Sequence, residues 1–173
     1  MLISIDDKAI KIVQDMDKSI SVMYNVGKWL DESGKKPSKW WKPENLNRDF
    51  LLQYAKTDEF YVVLVNGKKA AAAILQFNQN SQDWKCIDKN ELVPALYIHW
   101  LCVARQYSGR GLPKVIVDFA EQQAINKGIR FLRVDTNAQE MKLRKIYENL
   151  GFDLISIEQE DYRQTAFYQK KVK

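Results

Sequence analysis

Val103-Ala-Arg-Gln-Tyr-Ser-Gly-Arg-Gly-Leu-Pro113 is the stretch on which the fold turns. An apolar, β-prone run, residues 95–103, leads into it. Beyond it Leu112, Val115, Ile116, Phe119, Ala120 and Ala124 recur at threes and fours, one face of a helix. The stretch is therefore a strand-to-helix turn. Gly109 and Gly111 let the backbone bend tightly and approach a ligand closely. N–H groups of a first helical turn have no partner within the helix, and the helix dipole adds partial positive charge there. Such a turn suits a phosphate or pyrophosphate. No Gly-Lys-Ser/Thr closes it, so it is not a P-loop, and the third glycine of the dinucleotide fingerprint is missing. By itself, Gly-x-Gly fits an ordinary tight turn equally well.

Outward from the turn the chain alternates. The helix over 112–127 stops at Gly128, and residues 129–134 read as a strand. Leu143, Ile146, Tyr147 and Leu150 mark a short helix ended by Gly151. Residues 152–157 and 162–168 read as two antiparallel strands. Upstream, residues 60–65 and 68–77 form a hairpin through Asn66-Gly67, whose two residues tolerate positive φ. Residues 78–90 are polar and read as a loop. Nearer the start, residues 2–5 read as a strand. Residues 9–30 read as a helix from Ile12, Val13, Met16, Ile20, Met23 and Val26. After a breaker at 33–38 come Trp40 and Trp41, then a helical stretch around Leu46, Phe50, Leu51 and Tyr54. The sum is an α/β chain with a mixed, mostly antiparallel sheet flanked by helices.

Composition narrows the function. The 173 residues are 46% apolar and 28% charged, ordinary for a soluble globular chain. No run of about 18 apolar residues occurs, so no membrane helix is expected. The opening MLISIDDKAI lacks the basic n-region and long apolar core of a secretion signal. Cys86, Cys102 and the single histidine, His99, match no zinc-finger or ribbon spacing, so no metal is expected. These features make a cytoplasmic location the expectation. The net charge of +5 comes from 27 basic and 22 acidic residues. Apart from Lys35, Lys36, Lys39 and Lys42, and Lys170, Lys171 and Lys173, the lysines are dispersed. That pattern suits solvated charge, and no nucleic-acid partner is expected.

The run from Tyr97 to Phe152 resembles the GNAT family of N-acetyltransferases. The resemblance rests on Leu101-Cys102-Val103 at a strand end, Gly109-Arg110-Gly111 in the turn, the helix that follows, and Tyr147-Glu-Asn-Leu-Gly-Phe152. It implies a single domain, with residues 1–57 a helical cap on the acceptor side and 58–173 a sheet core carrying the CoA site. It also implies acetyl-CoA as co-substrate and a small-molecule or protein amine as acceptor, with a homodimer possible in this family. The CoA contacts implied are Leu101, Cys102, Val103, Ser108, Gly109, Arg110, Gly111 and Leu112, with Asn137 as a further one. Two departures stand out. Counted from Val103, the family's Gln/Arg falls on Ser108 and its last Gly/Ala on Pro113. Gln106 begins a literal Q-x-x-G-x-G, but two residues early. Pro113 is tolerated in a first helical turn, though it removes one donor.

The resemblance puts Tyr147 where the family often keeps a tyrosine near the CoA sulfur. A phenol, of reference pKa about 10, suits protonation of a thiolate; Tyr147 also shares a helical face with Leu143 and Leu150, which fits a core residue. His99 lies four residues before Val103, and strand alternation groups it with Tyr97, Leu101 and Val103. Arylalkylamine N-acetyltransferases, a branch of the family, carry a histidine at this offset as a proton relay. A satisfied structural histidine is the other reading. Glu140 stands where many members have a CoA-contacting asparagine, and Asn137-Ala-Gln-Glu140 reads as a capping box with Asn137 as N-cap. Cys102 reads as a buried strand residue. Trp29, Trp40 and Trp41 either line an acceptor pocket for an apolar or cationic group or pack the cap on the sheet. A CoA-binding regulatory module without catalysis is the alternative function.

Overall fold

Asn66 and Gly67 reverse the chain with φ of 49° and 76°, as the hairpin signal requires. They join β3 (Phe60–Val65) to β4 (Lys68–Gln76). The computed structural model describes residues 2–5, 8–77, 84–89 and 91–173. The remaining elements are β1 (Leu2–Ile5), β2 (Lys8–Gln14), α1 (Met16–Glu32), α2 (Arg48–Leu51), α3 (Lys85–Asp88), β5 (Leu96–Val103), α4 (Leu112–Asn126), β6 (Phe131–Asn137), α5 (Met141–Asn149), β7 (Asp153–Gln159) and β8 (Gln164–Lys171). The fold is α/β, with mostly antiparallel strand pairing and flanking helices. The exception is β5, which runs parallel to β6.

The chain forms two compact units, Met1–Leu75 with Trp100–Ile116, and Gln76–His99 with Val117–Lys173. In the first the strand order is β1-β2-β3-β4-β5, the last contributing its C-terminal half. The helix expected over 9–30 is corrected here. Residues 8–14 are β2, because Ile10 and Ile12 alternate inward with period two and pair with Val65 and Val63. The residues before 57 are thus strands as well as helices. Asp15 makes the switch: its side chain accepts from the Lys18 N–H at 2.9 Å, and α1 starts at Met16. Met16, Val22 and Met23 then pack with Leu46, Leu51, Phe60, Val62, Ile74 and Cys102. Gly27 lets the following loop lie directly on α1: a Cβ there would clash with Leu46 Cδ1 and stand 2.7 Å from the Trp41 carbonyl oxygen.

In the second unit the order is β5-β6-β8-β7. The parallel pairing of β5 with β6 covers Leu96↔Leu132 and Tyr97↔Arg133. Cross-strand partners share a face and neighbours alternate. Arg133, Asp135 and Asn137 therefore share one face with Thr165 and Phe167, and Val134 and Thr136 share the other with Ala166 and Tyr168. α5 packs on the Tyr168 face, where Arg144 Nε donates to the Tyr168 hydroxyl at 2.9 Å. α3 lies on the opposite face, its Asp88 paired with Arg133 at 2.9 Å, both side chains buried. Trp84 packs there on Phe167. Of the polar loop expected over 78–90, residues 78–83 and 90 lie outside the described residues. Residues 85–88 form the single turn of α3 instead.

Candidate active site

β5 is not a regular strand. Trp100 sits at φ 48°, a left-handed conformation that costs a bulky residue roughly 1–2 kcal/mol. It marks a local kink. The expected alternation from Tyr97 through His99 to Leu101 and Val103 does not pass unbroken through such a residue. Before the kink, the His99 ring stacks on Tyr97, 6.2 Å between centroids at 5°. After it, Leu101 and Val103 are half-buried and Cys102 is buried. Burial pushes the Cys102 thiol up to about 12, so the thiolate is scarce at neutral pH and Cys102 serves packing.

Trp100 is held from its own unit. Its indole N–H donates to the Trp40 carbonyl at 2.9 Å. Its ring meets Trp40 at 5.7 Å and Tyr54 at 6.2 Å, and Trp40 also meets Tyr54 and Phe50. The sequence named Trp40, Phe50 and Tyr54 one by one, but their gathering with Trp100 into a cluster of four rings was not legible there. No local motif marks a left-handed tryptophan in a strand. Trp29 stands apart, with the Arg105 guanidinium 4.4 Å and the Lys35 ammonium 4.9 Å from its ring centre.

β5 ends where the Ala104 N–H donates to the Ala70 carbonyl at 2.8 Å. One 3₁₀ turn, Arg105–Tyr107, follows, and its end uses the Ser108 N–H, bonded to the Arg105 carbonyl at 3.2 Å. Gly109 and Gly111 have φ of 76° and 74°. A Cβ at either would meet nothing within 4 Å, so the space above the turn is open. Among the described residues, the N–H groups of Gly109, Arg110, Gly111 and Leu112 donate to no acceptor, while Lys114 N–H closes the first turn on the Gly111 carbonyl. Ser108, Gly109, Arg110 and Gly111 are exposed. Pro113 occupies the first turn of α4, where its missing N–H breaks no helical bond. The expected cradle residues thus lie together, with the exception that the Ser108 N–H is already committed. Four consecutive donors and room for an anion fit a pyrophosphate.

The titratable candidates lie in the second unit. Tyr147 is buried on α5, its ring 5.9 Å from Phe152 and 6.0 Å from Tyr168. Burial, and after it the charge of Asp135, holds its phenol well above the usual tyrosine range. Among the described residues its hydroxyl has no hydrogen-bond partner. Tyr147 therefore stands on the Tyr168 face of this unit's strands, and His99, stacked on Tyr97, on the Phe167 face. The capping box is corrected: Asn137 is the last residue of β6, its Oδ1 accepts from the Gln139 N–H at 3.0 Å, and Glu140 is the N-cap of α5 without a side-chain cap bond. The strand outruns the residues that looked apolar, so Asn137 closes a turn where it was expected to open a helix.

Residues 25–152 match the family model of the acetyltransferase (GNAT) family. The chain belongs to that family, whose defining chemistry is acyl transfer from acetyl-CoA. Among solved structures, a GNAT acetyltransferase from Listeria monocytogenes superposes with a TM-score of 0.77 at 22% identity, covering 99% of each chain. The PaiA N-acetyltransferase from Thermoplasma acidophilum, in complex with coenzyme A, superposes with a TM-score of 0.66 at 18% identity, over 94% of this chain and 98% of that one. N-acetylglutamate synthase from Neisseria gonorrhoeae, complexed with coenzyme A and N-acetyl-glutamate, gives 0.63 at 16% identity, over 95% of this chain and 35% of that one. No curated protein matches the sequence.

Proposed function

We propose that the protein is an N-acetyltransferase that moves an acetyl group from acetyl-CoA to a primary amine by direct attack, without a covalent enzyme intermediate. One observation carries the reading: an exposed turn with two left-handed glycines, four consecutive unused N–H groups and open space above it. The N–H groups of Gly109, Arg110, Gly111 and Leu112 would hold the pyrophosphate, and the β5 backbone at Leu101–Val103 the pantetheine arm. When bound, acetyl-CoA supplies a thioester already activated for acyl transfer. Family membership, and CoA in two solved structures of the same fold, support the choice of donor.

The protein's own groups move the protons. An alkylamine of pKa about 10.4 reaches the site as ammonium. His99 takes that proton, a task suited to imidazole. Tyr147 donates its proton to the departing sulfur, and its burial keeps it protonated across the neutral range. An N–H near Cys102 or Val103 donates to the carbonyl oxygen as charge builds on it. The rings of Trp29, Trp40 and Trp41 suit an apolar or cationic acceptor.

Calorimetry with acetyl-CoA and with CoA, followed by thiol release across a panel of amines, tests the proposal. Micromolar binding with release for at least one amine is the expected result. Binding with release for none would leave a CoA-binding module, and no binding would end the reading.

A further inference from the structure

Asp135 carries a carboxylate oxygen that no described residue uses. Its Oδ2 faces the Arg163 guanidinium at 3.4 Å, and both side chains are largely buried. Arg163 is fixed in turn, its Nε donating to Thr165 Oγ1 at 3.1 Å and lying 3.9 Å from Glu160. Asp135 Oδ1 is buried and, among the described residues, receives no hydrogen bond. A buried acceptor left unmade costs roughly 1–3 kcal/mol, more when charged. Such a group in a native fold asks for an explanation.

The strand register offers one. β5 and β6 run parallel, with Tyr97 opposite Arg133, and the two side chains confirm a shared face through a 3.0 Å bond from Arg133 Nη1 to the Tyr97 hydroxyl. Two residues on along each strand, alternation returns to the same face at His99 and at Asp135. His99 holds that face by stacking on Tyr97; Asp135 holds it beside Phe167 and Thr165. Of the charged groups on this face, Arg133 is engaged with Asp88, Tyr97 and Gln169, Arg163 with Asp135 and Glu160, and Glu158 with the Ser156 hydroxyl, while Asp153 and Lys171 are exposed at the strand ends.

We propose that Asp135 is a positioning residue for His99, its free carboxylate oxygen stabilising the imidazolium formed when His99 takes the acceptor's proton and orienting the ring for that transfer. The inference rests on the acetyltransferase reading above and extends it from one residue to a pair. The proton passes from the acceptor nitrogen to His99 and then to solvent; Asp135 gains none. Carboxylates act on imidazoles in this way in other proton-transfer sites, and the hydrogen bonds of such pairs are often long before substrate binds.

Asp135→Asn is isosteric and removes only the charge. Thiol-release kinetics should show kcat falling roughly ten- to a hundredfold with an alkylamine, part of the 10²–10⁴ that a positioned base supplies. An arylamine, already deprotonated, should lose less than threefold. Acetyl-CoA affinity by calorimetry should stay unchanged. Asp135→Glu should recover much of the alkylamine rate, and adding Asp135→Asn to His99→Gln should cost nothing further. Equal losses with both amine classes, or losses that multiply in the double variant, would overturn the pairing while leaving the acetyltransferase intact. Absence of thiol release from the wild-type protein would sink the underlying reading instead. Should Asp135→Asn not fold, Asp135→Ser carries the same comparison.

Discussion

Tyr147→Phe removes one oxygen and nothing else. The ring keeps its contacts with Phe152 and Tyr168 at 5.9 and 6.0 Å, and no described partner loses a hydrogen bond. Stability at pH 7 should therefore change by no more than about 0.5 kcal/mol. If the phenol protonates the departing sulfur, kcat should drop by roughly 10²–10⁴, which is about 2.7–5.5 kcal/mol of barrier. The KM for acetyl-CoA should hardly move, because the lost interaction belongs to the transition state. A second readout tests the burial itself. The folded-state pKa lies above the unfolded value of about 10, raised first by burial and then by Asp135. This group's contribution is fully present below pH 10. Above it the unfolded chain releases a proton that the folded chain retains, and stability falls by up to about 1.4 kcal/mol per pH unit. Tyr147→Phe lacks that loss. Urea unfolding at pH 8, 10 and 11 should show the wild-type protein losing about 1 kcal/mol more between the last two points. Full activity of Tyr147→Phe with every acceptor would return Tyr147 to the core; parallel alkaline profiles would refute its burial.

Gly111→Asp places a carboxylate in the open space above the turn. At about 5 Å from each of two phosphate charges in a water-like dielectric, repulsion is about 1.7 kcal/mol. Calorimetry should therefore show acetyl-CoA binding roughly twentyfold weaker, and unchanged affinity in a folded variant would remove the cradle. Gly27→Ala meets the Trp41 carbonyl oxygen at 2.7 Å, a backbone atom that has to move. Overpacking of about 1–3 kcal/mol should outweigh the helix-propensity gain of about 1 kcal/mol. The variant should melt lower, and a higher Tm would contradict the close approach. Of the two thiols, Cys86 is exposed and Cys102 buried, with the latter's pKa pushed up to about 12. A thiol reagent at pH 8 should titrate one cysteine at once and the second only after unfolding; two rapid equivalents would show Cys102 to be accessible.

The parts of the fold that were legible in the sequence are those governed by local chemistry. Asn66-Gly67 announced its hairpin because only a few residue types accept positive φ at both positions. Gly109 and Gly111 announced the tight turn before α4 for the same reason, and Gly151 the end of α5. Residues 8–14 misled because Ile12, Val13 and Met16 fit a helical spacing as well as Ile10 and Ile12 fit a strand. What decided the matter was a partner fifty residues away, since Ile10 and Ile12 pair with Val65 and Val63. Asn137 misled because a capping pattern is also a turn pattern. The kink at Trp100 and the shared face of His99 and Asp135 depend on pairing between distant strands. No window of a few residues contains either.

Trp100 is anchored on the carbonyl of Trp40, a backbone atom every residue type possesses. Exposed side chains along the connection between α1 and α2, such as Lys36, are therefore free to drift over generations without loosening this anchor, whereas the Trp40 ring and Leu46 are held by packing. Adding or deleting a residue there is a different matter, since it carries the acceptor carbonyl out of reach of the indole. Divergence among descendants of this gene should accordingly appear in that connection as exchanges of one amino acid for another, at constant length.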